Sequence, residues 1–491
     1  MYQKNSRQLE MEKDPLLFGG IPLNAENRWV KYANLIPWEK VEDEYIKNLN
    51  PGRSGEKAKS ARMALGSLLI KEKLNLSDRE TVEQIRENPY LQYFLGEASY
   101  QYKLSLDASL LVHFRKRFPA EILAQINPWI IDGIIETEDP EDKDPHGGNG
   151  PEGDDHATQA ETLNQGTLII DATCAPADIQ YPTDTRLLHE ARLELEKCMD
   201  YLQEGCSGKK PRSYRRKANR EYKRFCRNRK PRSKEIRKAI KKQLSYVGRD
   251  LRHIETMKKD SMRELTEKQK TLLKIIEKMY KQQKEMYETK THQCEDRIVS
   301  IHQPHVRPIK RGKATADTEF GAKLSIRVHE GYCEITKLSW DAYNESTELI
   351  EIAQTYYERY GKYPKRILAD KIYRTRQNRT YCKKHGIQLS GPPLGAPPKD
   401  KILYTQQKQK ERDEACERNE VEGKFGVAKR AYGLGRIMTR LAQTSETQIH
   451  LIFLVMNLNK LLRNLFSLFY TTFFPFFSTF RFGTTSLLQI Y

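Results

Sequence analysis

Two short apolar runs, each closed by an aspartate, set the tightest limit on what this chain can fold into. The first is Thr167-Leu-Ile-Ile-Asp171 and the second is Lys365-Arg-Ile-Leu-Ala-Asp370. A continuous Ile/Leu run without polar alternation reads as a strand buried on both faces. Ligands of α/β sheets sit at the carboxyl ends of such strands, so each aspartate is a strand-end candidate. Between the two runs, residues 297–302 read as a strand. Phe320, Ala322, Leu324, Ile326 and Val328 alternate with polar residues as a second, residues 329–332 as a turn, and residues 333–338 as the returning strand of a hairpin. Asn344-Glu-Ser346 opens a helix with Leu349, Ile350, Ala353, Tyr356 and Tyr357 inward and a stop at Gly361. After Asp370 come a helix to about Lys384, a short strand at 387–390 and a break at 392–398.

A third acid lies on the helix that follows. Residues 404–433 contain no proline, are rich in Glu, Lys, Gln and Arg, and end at Gly433 and Gly435. On that helix Arg418, Glu422 and Lys429 fall within roughly 40° of one another and project from one face. A carboxylate flanked by cations suits metal binding with phosphate gripped alongside, but the same pattern also fits a solvated helix with ordinary i,i+4 ion pairs. Two aspartates and a glutamate together have the donor set for a pair of divalent cations in phosphodiester chemistry. Glu420, two residues from Glu422, faces elsewhere, and Asp317 and Asp341 border strands without ending an apolar run.

At these residues the sequence resembles the DDE transposases of bacterial insertion sequences, in the insertion-sequence-five group and its relatives. Arg418, Glu422 and Lys429 match the signature around that family's last acid in order and spacing, while Ala415 stands where the family has tyrosine. Asp171, within Asp171-Ala-Thr…Tyr181-Pro-Thr-Asp184, matches the first acid, and Asp370, within Ala369-Asp370-Lys-Ile-Tyr373, the second. The likeness continues through Gln303-Pro-His305, Glu319-Phe-Gly-Ala-Lys323, Asn344-Glu-Ser346 and Ser390-Gly-Pro-Pro-Leu-Gly395, and covers roughly residues 29–463. It implies catalytic and metal-binding roles for Asp171, Asp370 and Glu422, two Mg²⁺ ions with Mn²⁺ as a substitute, and double-stranded DNA as partner. It also implies a homo-oligomer on the DNA. Arg418 and Lys429 would hold phosphate.

The rest of the chain fits a DNA-binding frame. Its 491 residues suffice for two or three domains, and a formal charge of +19 favours a polyanionic partner. Eight cysteines with no CxxC pair argue against a zinc site and for free thiols in a reducing cytoplasm, with the protein on the nucleoid. The polar amino terminus carries no secretory signal. Residues 1–30 read as an arm and 31–136 as an all-α domain. In that domain Ser77-Asp-Arg-Glu80 caps a helix over Val82 and Ile85, and a basic helix at 107–118 carries Arg115, Lys116 and Arg117. That unit is either a groove-entering module or a scaffold bundle.

Residues 137–165 form an acidic Gly/Pro-rich linker that cannot bury a core. The catalytic region spans 166–463, with a basic helical insertion at 184–293. In the insertion Lys209, Lys210, Arg215, Arg216, Lys217 and Arg224 interleave with Tyr and Phe as backbone contacts suit; a solvated hairpin is the plainer alternative. Residues 234–290 are spaced for an antiparallel helix pair, with a coiled-coil contact to a second protomer as an option. Residues 464–491 are an apolar tail whose internal Pro475 argues against a membrane span. The element order is that of an α/β ribonuclease-H-like catalytic core with a basic helical insertion, preceded by an all-α domain. Two further functions stay open on these residues: an inactive or domesticated DNA-binding derivative, and a metal-dependent nuclease without strand transfer.

Overall fold

The computed structural model of the chain describes residues 17–18, 21–49, 58–135, 164–313, 316–392, 395 and 400–473. Most of the expected arm, all but the end of the acidic linker, and the tail from residue 474 lie outside the described residues.

Caps and apolar spacing build the amino-terminal helical region. A two-residue ladder, β1 (Leu17–Phe18) with β2 (Ile21–Pro22), precedes α1 (Arg28–Leu35), α2 (Trp38–Lys47), α3 (Ala61–Leu74), α4 (Asp78–Glu87), α5 (Pro89–Phe94), α6 (Ala108–Arg117) and α7 (Ala120–Ile135). The Ser60, Ser77 and Asp107 side chains accept from the backbone N–H groups of Met63, Glu80 and Ser109, each starting a helix. Leu65, Leu68 and Ile70 of α3 are fully buried, with Tyr45, Phe94 and Phe114 around them.

A mixed sheet follows, of β3 (Thr167–Pro176), β4 (Arg307–Lys313), β5 (Ala316–His329), β6 (Tyr332–Ser339), β7 (Arg366–Leu368) and β8 (Gln388–Leu389). The order is β4-β5-β3-β7-β8, with β6 also on β5. β5 runs antiparallel to β3, β4 and β6, whereas β7 runs parallel to β3 and β8. The hairpin turns on Glu330 and Gly331, both with positive φ, between the paired His329 and Tyr332. At the other end of β5 a Cβ on Gly321 would stand 2.1 Å from the Ala175 carbonyl oxygen, so only glycine lets the strands approach there.

Two strand expectations are corrected. Residues 297–302 form no strand: Ile298 and Ile301 instead turn into the insertion's core, where the Gln282 side chain accepts from the Ile298 N–H. Asp171 does not end its strand, because small buried Ala172, Cys174 and Ala175 let β3 continue to Pro176 along β5.

The segment between β3 and β4 holds α8 (Asp184–Gln203), α9 (Arg215–Arg227), α10 (Ser233–Asp260) and α11 (Glu267–Thr289). Their core joins Leu188, Leu195 and Met199 of α8 to Val247 and Ile254 of α10 and to Ile276 and Met279 of α11. The apolar stripes of α10 and α11 are therefore covered within the chain by α8.

The remaining helices are α12 (Leu349–Tyr360), α13 (Arg376–Lys384), α14 (Lys401–Ala431) and α15 (Ala442–Phe473). In α12 the inward face is Leu349, Ile352, Ala353 and Tyr356, while Tyr357 points outward. α15 is the shared element. Its Leu451, Leu454, Val455, Leu458, Leu461 and Leu462 belong to the core of the amino-terminal helices, and its Ile449, Ile452, Phe453 and Met456 to the core on the sheet. Among the described residues no helix is long and apolar enough to cross a membrane.

A buried amide network joins the two cores. Asn457 of α15 accepts from the Cys333 N–H of β6 (2.8 Å) and donates to the Cys333 carbonyl (2.7 Å) and to Asn127 Oδ1 of α7 (2.8 Å). Removing one member strands the others without water. Asn457→Ala is expected to destabilise the protein by about 2–3 kcal/mol, read by urea unfolding, with Cys333→Ala, which keeps every backbone bond, costing less.

Candidate functional site

Strand parity decides which way the first two acids point. On β3, Leu168 and Ile170 enter the core shared with α12, and Ile169 enters the core shared with α14 and α15. Asp171 has the parity of Ile169 and therefore faces the α14 side. On the neighbouring parallel strand Leu368 takes the α14 side and Ile367 and Ala369 the other, which gives Asp370 the parity of Leu368. Ile169 pairs with Leu368. Asp171 and Asp370 each lie two residues beyond that pair, Asp171 still within β3 and Asp370 just past the end of β7.

Asp370 is exposed and caps the short 3₁₀ turn Lys371–Tyr373, accepting from the Lys371 N–H at 2.6 Å. Below that turn the Tyr373 side chain is fully buried, and its hydroxyl makes no hydrogen bond among the described residues. Burial, and then Glu345, Glu348 and Asp171, push its pKa far up.

The third acid is brought in by α14. Asp400 caps this helix by accepting from the Ile402 N–H, and Gly433 follows its end with φ +76°. Val421, Phe425 and Ala428 press into the core against Ile169 and Leu368. Glu414 accepts from Gly391 N–H (2.9 Å) and from Gln388 (3.2 Å), and Arg366 of β7 holds Glu417 bidentately (3.1 and 2.7 Å) while its Nε donates to Thr167 Oγ1 (2.9 Å). These contacts fix the face that carries Arg418 and Glu422. Arg418 stands between two acids, with Nη2 donating to Glu422 Oε1 (3.2 Å) and Nη1 3.8 Å from Asp171 Oδ2.

The site's electrostatics favour a cation. Burial raises the Asp171 carboxyl from 3.8 to about 6; its hydrogen bond from Ala172 N–H and the Arg418 guanidinium oppose this, and Glu345 and Asp370 add to it. Glu345 is thus a further acid beside the site that the strand-and-helix reading passed over. It heads the turn after Asn344, inside a stretch already similar to the family, and its Oε1 lies 2.7 Å from Lys323 Nζ. Glu348 beside it is buried, with Lys337 Nζ at 3.6 Å. Among the described residues no three His, Cys, Asp or Glu side chains are close enough together to hold a metal ion. The guanidinium of Arg418 supplies the positive charge between Asp171 and Glu422.

The expected phosphate contacts divide into spent and available charges. Arg115 is 4% exposed and paired with Asp78, so the fold consumes it. Arg117 donates to the Tyr45 hydroxyl, and Lys116 is exposed. Lys210 and Arg215 both hold Asp200. Lys209, Arg216, Lys217 and Arg224 are exposed and make no ion pair among the described residues. Lys429 is half-buried, two turns along α14 from Glu422. All eight cysteines are free.

Comparison with known proteins gives three findings. The family described as "Transposase domain" matches residues 21–117, and that described as "Transposase DDE domain" matches residues 367–459. The second match contains Asp370 and Glu422, and Asp171 lies outside it. An uncharacterized protein, ORF8 in the nfe locus of Rhizobium meliloti, is 29% identical over 169 residues, which is 34% of this chain and 71% of that protein. No solved structure matches.

The raised Asp171 pKa has a defined consequence for stability. A carboxyl that folding moves from 3.8 to about 6 costs nothing well below its unfolded pKa of 3.8; its penalty builds between 3.8 and about 6 and is complete above that. Asp171→Asn is therefore expected to stabilise the metal-free protein by about 1–3 kcal/mol at pH 7.5, a gain that vanishes below about pH 3, read by urea unfolding at both pH values. Arg418→Gln is expected to move the Asp171 carboxyl above 6, read by carbon-13 carboxyl titration.

Proposed function

Since the chain carries a transposase amino-terminal domain followed by a transposase DDE domain, we propose that it cuts DNA at transposon ends and joins the freed 3′ ends to target DNA. The observation that carries this reading is that Arg418 lies between Asp171 and Glu422 while Asp370, two residues past the last β3–β7 pair, is near enough to act on the Asp171 charge. The sheet supports the ribonuclease-H-like reading of the catalytic region. Counting β3, β5, β6, β7 and β8 as one to five gives the order 3-2-1-4-5, antiparallel on one side of β3 and parallel on the other.

The donor set suits divalent cations by its chemistry: it has two aspartates and a glutamate, and burial and like charges destabilise the first as an anion. Asp171, Asp370 and Glu422 would hold Mg²⁺. When bound, such ions lower the pKa of the attacking water and stabilise the leaving oxygen. The chain's own groups do the remainder. Asp171 is held by the pairing of β3 with β5 at Ile326, and Glu422 is held at its level by the Glu417 and Glu414 anchors about one and two turns back. Arg418 keeps the acids from repelling one another while the site is empty of substrate, and its fork suits a phosphate that arrives with the DNA. Lys429 adds a point charge further along. The exposed cations of α9 and the loop before it, Lys209, Arg216, Lys217 and Arg224, would follow the duplex backbone.

With a labelled element-end duplex, cleavage is expected in Mg²⁺ and not in EDTA. Asp171→Asn, Asp370→Asn and Glu422→Gln are each expected to lower it by at least about 10³-fold while duplex binding by gel shift stays within about threefold. Cleavage retained in any of the three would remove that residue from the site. Incubating cut ends with a target plasmid separates strand transfer from simple hydrolysis.

A further inference from the structure

A second cluster of cations lies on another face of α14. A cavity of about 760 Å³ opens between the amino-terminal helices and the catalytic region, lined by Arg28 and Tyr32 of α1, Lys73 of α3, Glu420 and Lys424 of α14, Asn459 and Arg463 of α15, and the β5–β6 turn at Gly331. Its lining has four cations and one carboxylate. That carboxylate, Glu420, is already 3.5 Å from Lys424 Nζ. Among the described residues Arg28, Lys73 and Arg463 pair with no carboxylate; the Lys73 ammonium donates to the neutral Asn459 Oδ1, which the Tyr32 hydroxyl also donates to, and lies 5.8 Å from the centre of the Tyr32 ring.

The excess of positive charge is felt locally. Burial, then Arg28 and Arg463, bring the Lys73 pKa down to about 8, and Lys460 at the rim is lowered by burial and then by Lys424. Folding has thus gathered like charges around an open space and, Lys424 apart, left them without a carboxylate partner among the described residues, at a cost that an anion in that space would reduce. Two guanidiniums and two ammoniums suit the oxygens of phosphate, with Arg28 and Arg463 able to bind two oxygens each. Glu420 is about 200° around α14 from Glu422, so the helix itself separates this cavity from the carboxylates.

We propose that this cavity is a phosphate-binding site separate from the catalytic acids, and that it takes either a backbone phosphate of bound DNA or a free polyphosphate. The DNA half rests on the transposase reading above. The test measures affinity of the full-length protein for an element-end duplex across a salt series, beside inorganic pyrophosphate by calorimetry. The variants are Arg28→Gln/Arg463→Gln, whose side chains are exposed, and Arg28→Lys/Arg463→Lys, which keeps the charge.

If the phosphate comes from DNA, the glutamine pair flattens the log–log salt slope by about two and the lysine pair restores it. If it is free, pyrophosphate binds the parent and the lysine pair, the glutamine pair loses at least tenfold in affinity, and the duplex slope is unchanged. Unchanged duplex slope together with unchanged or absent pyrophosphate binding overturns the proposal. Parent protein that binds no duplex at all overturns the transposase reading instead, and leaves the pyrophosphate arm to decide this one.

Discussion

α15 is buried from two sides, and the rest of the structure depends on that. A helix normally presents one apolar stripe to one core. Between Ile449 and Leu462 this one gives Leu451, Leu454, Val455, Leu458, Leu461 and Leu462 to the amino-terminal helices and Ile449, Ile452, Phe453 and Met456 to the sheet. Packing on both flanks forces the polar groups within it to find partners in the protein, and Asn457 does so with β6 and α7 at once. Thr447 does the same one segment earlier, its hydroxyl lying 3.1 and 3.0 Å from the carbonyls of Arg115 and Phe118. Hydrogen bonds of this kind fix the rotation of α15 where apolar contacts alone would permit sliding.

The carboxylate group shows the opposite economy. Asp171 sits where burial and two neighbouring acids work against its charge, and only one guanidinium and one backbone N–H support it. The surrounding fold holds this unfavourable arrangement through contacts that have no chemistry of their own: Arg366 across Thr167 and Glu417, Glu414 on the loop at Gly391, and the apolar seam of Val421, Phe425 and Ala428. Functional sites are commonly built against local stability in this way.

Much of this was legible in the sequence because it depends on period and spacing. The alternation at 320–328, the Glu330-Gly331 turn, the proline-free run before Gly433, the Ser77 cap and the helix over 107–118 all became the elements they suggest. What was not legible depends on tertiary partners. Nothing local says that Ile298 and Ile301 pack under α8 and α11 instead of joining a sheet, or that Tyr357 turns outward while Ile352 turns in. Charge was the least readable property: Arg115 and Arg216 look alike in sequence, yet one is buried against Asp78 and the other exposed. Only the fold distinguishes an arginine that braces the protein from one that can meet a ligand.

The dual burial of α15 also governs how such a chain can be divided. Residues 21–135 look like a self-contained module along the sequence, yet a sizeable part of the surface that would shield their interior is supplied from more than three hundred residues downstream. Severed before α15, that fragment would present a greasy trough to solvent and tend to clump or borrow a stranger's helix. Replacing the front end with another would therefore require a matching α15 to cover it.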